Sequence, residues 1–258
     1  MNDSPLSTSS RGTRIVGSLA AVSGLFLVLY AFWFSKADVE LGNTVRILYL
    51  HVPTVVIAYL LMVTNMGASI YYLWRRSDFA DQLAAATGEI GMLLLGLTVV
   101  TGMFWGRPTW GTYWSWGDAR LTSTLLLFLL YVGYVTVRNI PAERTQRNVR
   151  SAVVGAVSAL MIYPVRMSTE WFQTLHQERT VKAPGASEIS GNQEFALYLG
   201  FVTFLLFAVW ITMHRFRMGW LADRAEETDL EAAIADRRAE GTADYGTVEN
   251  AADYGTVK

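Results

Sequence analysis

No cysteine occurs among the 258 residues. That excludes a disulfide framework, a thiolate metal site and a thiol relay within this chain, so any redox chemistry has to use other groups. Charge is scarce too, with Asp, Glu, Lys and Arg making up 17% of the residues. Histidine is limited to His51, His176 and His214. There is no GxxxxGKS or GxxxxGKT loop for nucleotide phosphates, no GxSxG nucleophile elbow and no HExxH zinc pair. Conventional hydrolase, NTPase and nucleic-acid-binding readings have nothing to stand on. Within the apolar stretches Glu89 is the main carboxylate, which argues against a multi-carboxylate proton pathway.

What is present is apolar and aromatic: 52% hydrophobic residues and 13% Phe, Trp and Tyr. That is the profile of a membrane protein. A helix spans the hydrocarbon with about 20 mostly apolar residues, and six segments qualify, at roughly 15–34, 45–73, 83–104, 121–137, 149–166 and 195–214. The expected fold is therefore an all-α integral membrane protein with six transmembrane helices in one domain, 15–214. A short segment, 1–14, precedes it, and an acidic tail expected to be disordered, 215–258, follows. The first apolar segment is too long for a signal peptide's apolar region of about 7–15 residues and has no convincing cleavage site after it, so it counts as a span. Charge is divided unevenly, with 17 Lys and Arg against 12 Asp and Glu in residues 1–218, and 4 against 10 in residues 219–258. The tail holds a short repeat, ADYGTVE then ADYGTVK, too brief for a repeat architecture.

Orientation is read from Lys and Arg near span ends. One set of alternating loops carries Arg11, Arg14, Arg75, Arg76, Arg138, Arg144, Arg147, Arg150, Arg215 and Arg217. The other carries Lys36, Arg46, Arg107, Arg120, Arg166, Arg179 and Lys182, mixed with acidic residues. The first set is the larger and the more tightly clustered, so both termini are expected in the cytoplasm. The loops at 35–46, 105–120 and 167–194 then share the outer face of a prokaryotic inner membrane.

His51 lies in LYLHVPT near the outer end of the second span, where Pro53 either opens or kinks the helix. An ionisable ring at that depth points to a functional role or to a neutral imidazole bonded to a neighbouring helix. His176 lies in STEWFQTLHQ. Ser168 or Thr169 can cap a short interfacial helix there, aligning Trp171, Phe172 and Leu175 in one stripe with His176 on the face of Phe172; an exposed connector is the alternative. His214, beside Arg215 and Arg217, reads as an interfacial cation.

Trp105, Trp110, Trp114 and Trp116 crowd into WGRPTWGTYWSWGDARLTS. Indoles gather at membrane interfaces, so an aromatic belt is one reading. Clustering in one glycine-interrupted segment suggests another, a short interfacial helix or turn on which Trp110, Tyr113, Trp114 and Trp116 form a platform for a large planar ligand. Asp118 stands at the N-cap position of the next span. Two outer-face histidines with such a platform suit a metal-bearing planar ligand. Haem fits, since its iron takes axial imidazoles and its propionates take cations such as Arg46, Arg107, Arg120 and Arg166. From these features alone a quinone or a lipid fits as well.

The segment WGTYWSWGDARLTS resembles the tryptophan-rich WGxxWxWDxRLT signature of the haem-handling protein family, most closely its cytochrome c maturation branch, CcmC. HVP at 51–53 and STEWFQTLHQ at 168–177 resemble that branch's two histidine segments, in the same order, and the similarity covers roughly residues 15–215. The resemblance implies that His51 and His176 are axial ligands of a transiently bound b-type haem. It assigns Trp110, Trp114, Trp116, Asp118 and Arg120 to the haem-contacting loop, beside which Trp105, Tyr113 and Trp171 are further candidate contacts. It also implies presentation of haem to the membrane-anchored chaperone CcmE, with CcmA, CcmB and the small CcmD as partners. Gly117 separates Trp116 from Asp118 where the signature has Trp and Asp adjacent. In a helix one extra residue rotates what precedes it by about 100°, whereas in a loop glycine can absorb it. The alternatives are a channel or permease subunit anchored by interfacial tryptophans, and a related cytochrome c synthetase, which usually carries more histidines.

Overall fold

A computed structural model describes residues 7–38, 41–176 and 191–253, with side chains as far as residue 238. Its regular elements are helices: α1 (Arg11–Trp33), a 3-10 turn (Asn43–Ile47), α2 (Leu48–Arg75), α3 (Asp78–Trp110), α4 (Ala119–Asn139), α5 (Arg144–Ala159), α6 (Ile162–Trp171) and α7 (Asn192–Asp253). Six stretches are long and apolar enough to cross a membrane, in agreement with the hydropathy pattern: Arg11–Trp33, Asn43–Arg75, Asp78–Trp110, Ala119–Asn139, Arg144–Trp171 and Asn192–Arg238. The chain forms two compact units, Met1–Phe216 and Arg217–Lys258.

Within the first unit, α2 packs along α3, α5 lies against α2 and α4, and α6 against α4. The link between α2 and α3 is short. Arg76 takes a left-handed conformation (φ 55°) and Ser77 caps α3 by accepting from the Ala80 N–H. Ile57, Ala58, Met62, Leu94, Leu95, Leu127 and Tyr131 form the largest core cluster. In a bilayer this burial gains little from leaving water, so close helix contact and buried hydrogen bonds carry the packing. Pro53, buried inside α2, supplies no N–H to the carbonyl of Tyr49. Gly200 of α7 lies directly against that carbonyl, where a Cβ would overlap it and would come 3.0 Å from Pro53 Cγ. The proline thus leaves α2 a continuous helix and gives it a backbone acceptor against which α7 fits closely.

Polar residues extend α3 beyond its apolar stretch. Asp81 is buried at 2% exposure, but Arg138 of α4 donates to both its oxygens at 2.9 and 2.6 Å. A paired carboxylate can be taken inside where an isolated one cannot. Arg215 donates to Glu89 at 2.5 Å, which accounts for the main carboxylate expected within a span.

Two expectations are corrected. The tryptophan-rich segment holds no interfacial helix of its own, because α3 continues through Pro108 to Trp110 and residues 111–118 are irregular. Gly111, at φ 76°, terminates α3 in the left-handed conformation that glycine accepts readily. The helix expected to start at Ser168 or Thr169 is instead the end of α6. Ser168 is interior, its hydroxyl donates to the Val165 carbonyl and its carbonyl accepts from Phe172 N–H, so residues 172–176 are not helical. Pro164 explains the shift, since a residue without an N–H fits best in a first turn. The fifth span accordingly breaks at Leu160 and Met161, and α6 restarts just before the proline. The rest of the 167–194 loop, 177–190 with Arg179 and Lys182, lies outside the described residues, as does Glu40. The tail segment carries α7 on as far as Asp253. Its Ala, Glu, Leu and Arg content favours helix whether or not it packs; the end of the second repeat, 254–258, lies outside the described residues.

Candidate functional site: a cavity between two histidines

His51 sits in the first turns of α2, three residues past its start. Its Nδ1 is 3.0 Å from Thr101 Oγ1 on α3. The Thr101 hydroxyl donates to the Leu97 carbonyl at 2.8 Å, so its oxygen is an acceptor and the proton lies on His51 Nδ1. Nε2 then carries the ring's lone pair, the arrangement a metal-binding imidazole needs. Gly102 leaves room for the ring, since a Cβ there would be 3.1 Å from His51 Cε1.

His176 reaches the same place from a non-helical segment. Its ring lies against Trp110, the last residue of α3, with centroids 4.9 Å apart. The backbone N–H of Leu175 donates to Asp118 Oδ2 at 2.6 Å. Burial pushes the His176 imidazole down to about 3, with Arg120 and His51 acting in the same direction and Asp118 opposing them. It is therefore neutral near pH 7, with Nδ1 buried and lacking a hydrogen-bond partner.

One cavity is lined by both imidazoles together with Val55, Tyr59, Trp114 and Arg120. It holds about 450 Å³ of atom-free space, part of it open to solvent. Trp114 meets Trp116 edge-on at 5.6 Å, and its indole Nε1 is buried without a partner. Two imidazoles, an indole with an unsatisfied N–H and one guanidinium thus converge on a mostly apolar hollow. Pockets built this way, apolar with a few convergent polar groups, are where ligands bind.

The other candidates fall around this centre. Trp105 is buried in α3. Tyr113 is exposed under the guanidinium of Arg107, 5.7 Å away. Trp116 is 73% exposed, and Trp171 is exposed and edge-on to Tyr163 at 5.9 Å. Asp118, 4% exposed, caps α4 through the Leu121 N–H at 2.9 Å and does not line the cavity. Arg46 lies over Phe32. His214 is elsewhere, its Nδ1 3.0 Å from Thr8 Oγ1. Asp118 N–H donates to the Ser115 carbonyl at 3.2 Å, which makes Trp116 and Gly117 the centre of a turn. The extra glycine is therefore absorbed in irregular backbone, with no helical rotation passed upstream.

Sequence reading missed Val55, Tyr59, Thr98, Thr101, Gly102 and Thr124. A helical repeat could have found them. Val55 and Tyr59 follow His51 at i+4 and i+8, and Thr124 follows Arg120 at i+4. Nothing in α3 pointed to Thr98 or Thr101 without knowing which helix faces His51.

Among the described residues there is no group of three His, Asp or Glu that could hold a metal ion. Two imidazoles are too few for a bare cation, which takes four or more ligands. They match a planar group that brings its own equatorial ligands.

The family model of haem exporter protein C matches residues 3–231. A haem exporter protein C of Bradyrhizobium diazoefficiens is 34% identical over 228 residues, which covers 88% of this chain and 86% of that protein. One from Haemophilus influenzae is 32% identical over 206 residues, covering 80% and 83%. A ccmC-like mitochondrial protein of cytochrome c biosynthesis from Marchantia polymorpha is 31% identical over 177 residues, covering 69% and 74%. With the family match running from residue 3 to residue 231, across the first unit and both histidine segments, the chain belongs to the haem exporter protein C family.

Proposed function

We propose that this chain handles haem for cytochrome c maturation: it binds b-type haem transiently at the extracytoplasmic end of the bundle and presents it to the membrane-anchored chaperone CcmE. The observation that carries this reading is the single cavity lined by both His51 and His176. The family name supports haem as the cargo, and the relative from Marchantia supports cytochrome c as its destination.

His51, on a rigid helix and with Nδ1 engaged by Thr101, supplies Nε2 to the iron. His176, which lines the same cavity, would supply a second nitrogen to the iron. Trp114 offers its ring to the macrocycle, and its unpaired indole N–H is available to a polar edge of the ligand. Arg120 pairs with a propionate, as a fork of N–H donors does with carboxylates. CcmA, CcmB and CcmD complete the assembly, and ATP is handled by another chain.

The orientation follows from charge. His51 and Arg75 are 24 residues apart on α2, about 36 Å along the helix axis, so the cavity and the Arg75–Arg76 end lie on opposite faces of the bilayer. The end rich in arginine faces the cytoplasm and the cavity faces outward.

The test is the absorption spectrum of the chain purified with its partners. Wild type shows a haem Soret band, and His51→Ala and His176→Ala each alter or abolish it. A spectrum unchanged in both variants overturns the proposal. Trp114→Ala impairs delivery to CcmE while insertion stays intact; loss of insertion instead favours the role of a membrane anchor.

A further inference from the structure

His176 poses a problem of positioning. It lies five residues beyond the end of α6, on backbone that makes no helix. An imidazole carried on such a segment would sample many positions unless something outside the segment fixed it. Two contacts do so: the Trp110 ring against the imidazole, and the Leu175 N–H on Asp118. The second is the stronger, because a carboxylate accepting at 2.6 Å makes a charge-assisted bond, shielded here by burial of Asp118.

Asp118 divides its two oxygens between two elements. Oδ1 caps α4 through Leu121 N–H, and Oδ2 holds Leu175, 57 residues further along the chain. The cap anchors the carboxylate to a rigid helix whose next residue but one is Arg120, itself in the cavity wall. We propose that Asp118 is a positioning residue that latches the 172–176 segment to the start of α4 and so sets where His176 stands; it acts through His176 and not by touching the ligand. Capping and latching are separable functions of one side chain. Release of the Leu175 bond alone would let His176 withdraw while His51 stays fixed by Thr101.

This rests on the proposed role of His176 only for its consequence in haem binding; the latch itself is tested without haem. The chain has no cysteine, so His176→Cys gives a single thiol whose rate of labelling by a soluble maleimide reports how often the segment opens. Serine caps helices as well as aspartate does but is one carbon and one oxygen short of bridging to Leu175. In the Asp118→Ser background the thiol should label faster by about 10- to 100-fold, the effect of losing one hydrogen bond to a charged group. A second reporter, Ser123→Cys near the start of α4, half-buried and outside the cavity lining, should label at the same rate with and without Asp118→Ser. Equal rates at His176→Cys in the two backgrounds overturn the latch, and so does an equal rise at Ser123→Cys, which would mean that the cap failed instead. With haem added, Asp118→Ser alone should lose the six-coordinate spectrum of two imidazoles and regain it with exogenous imidazole. If wild type binds no haem, the proposed function fails while the labelling result still decides the latch.

Discussion

Thr101→Val tests whether His51 is held ready to bind iron. Threonine and valine have nearly the same shape, so the substitution removes one oxygen without opening a cavity. It removes the acceptor 3.0 Å from His51 Nδ1, at a site where Thr101 is 7% exposed. The Nδ1–H then loses that acceptor and keeps only the Thr98 carbonyl, at a cost of about 1–3 kcal/mol in a dry environment. Turning the ring fully onto that carbonyl, or changing tautomer, takes Nε2 away from the metal. Haem affinity should fall by about 5- to 150-fold, in line with the losses seen when a metal ligand loses its orienting partner. The assay is titration of haem into the purified apoprotein in detergent, read at the Soret band, with the thermal midpoint measured in parallel. Thr101→Ser keeps the oxygen and should bind near wild type. Affinity within twofold of wild type for Thr101→Val refutes the reasoning, as does an equal loss for Thr101→Ser.

Three other perturbations have clear directions. A Cβ at Gly155 would come 2.8 Å from Asn65 Oδ1, 3.0 Å from Tyr134 Cε2 and 3.1 Å from Ser69 Oγ, and Asn65 cannot yield because its amide donates to the Ala84 carbonyl at 2.7 Å; Gly155→Ala should therefore lower the thermal midpoint, overpacking of about 1–3 kcal/mol exceeding the helix-propensity gain of about 1 kcal/mol. Gly117→Ala should leave both stability and haem titration unchanged, because a Cβ there meets nothing within 4 Å and the residue is not among those with positive φ. For His176, folded and unfolded states are both neutral above pH 6.5; between 6.5 and about 3 only the exposed ring takes a proton, so acid should favour opening of the 172–176 segment by at most about 1.4 kcal/mol per pH unit. Hydrogen exchange at the Leu175 amide, which donates to Asp118, should accelerate as pH falls from 6.5 to 5 after correction for the intrinsic rate, and His176→Phe should abolish the acceleration.

Much of this was legible in the sequence because bilayer thickness imposes a simple rule on apolar length. The six spans follow from it, and so does the placing of His51 near a helix start. The ends of the spans were less legible. Asp81 and Gln82 look like loop residues until Arg138, 57 positions away, is known to pair with the first of them. Pro108 looks like a terminator, yet α3 runs past it. Pro164 looks like an end and proves to be in a first turn. In the site, the motif residues His51, His176, Trp114 and Arg120 come together on the cavity, while Tyr113, Trp116 and Trp171 stand exposed around it. The grouping of Thr101 with His51 and of Asp118 with Leu175 depends on which helices are neighbours, and local pattern does not carry that information.

The most direct measurement is low-temperature EPR of the ferric, haem-loaded protein, wild type beside His51→Gly and His176→Gly, each with and without added imidazole. Wild type should give a low-spin signal of two imidazoles on one iron, each glycine variant should lose it, and free imidazole should restore it in both. A high-spin wild-type signal, or a low-spin signal that survives either substitution without added imidazole, contradicts a haem held between these two histidines.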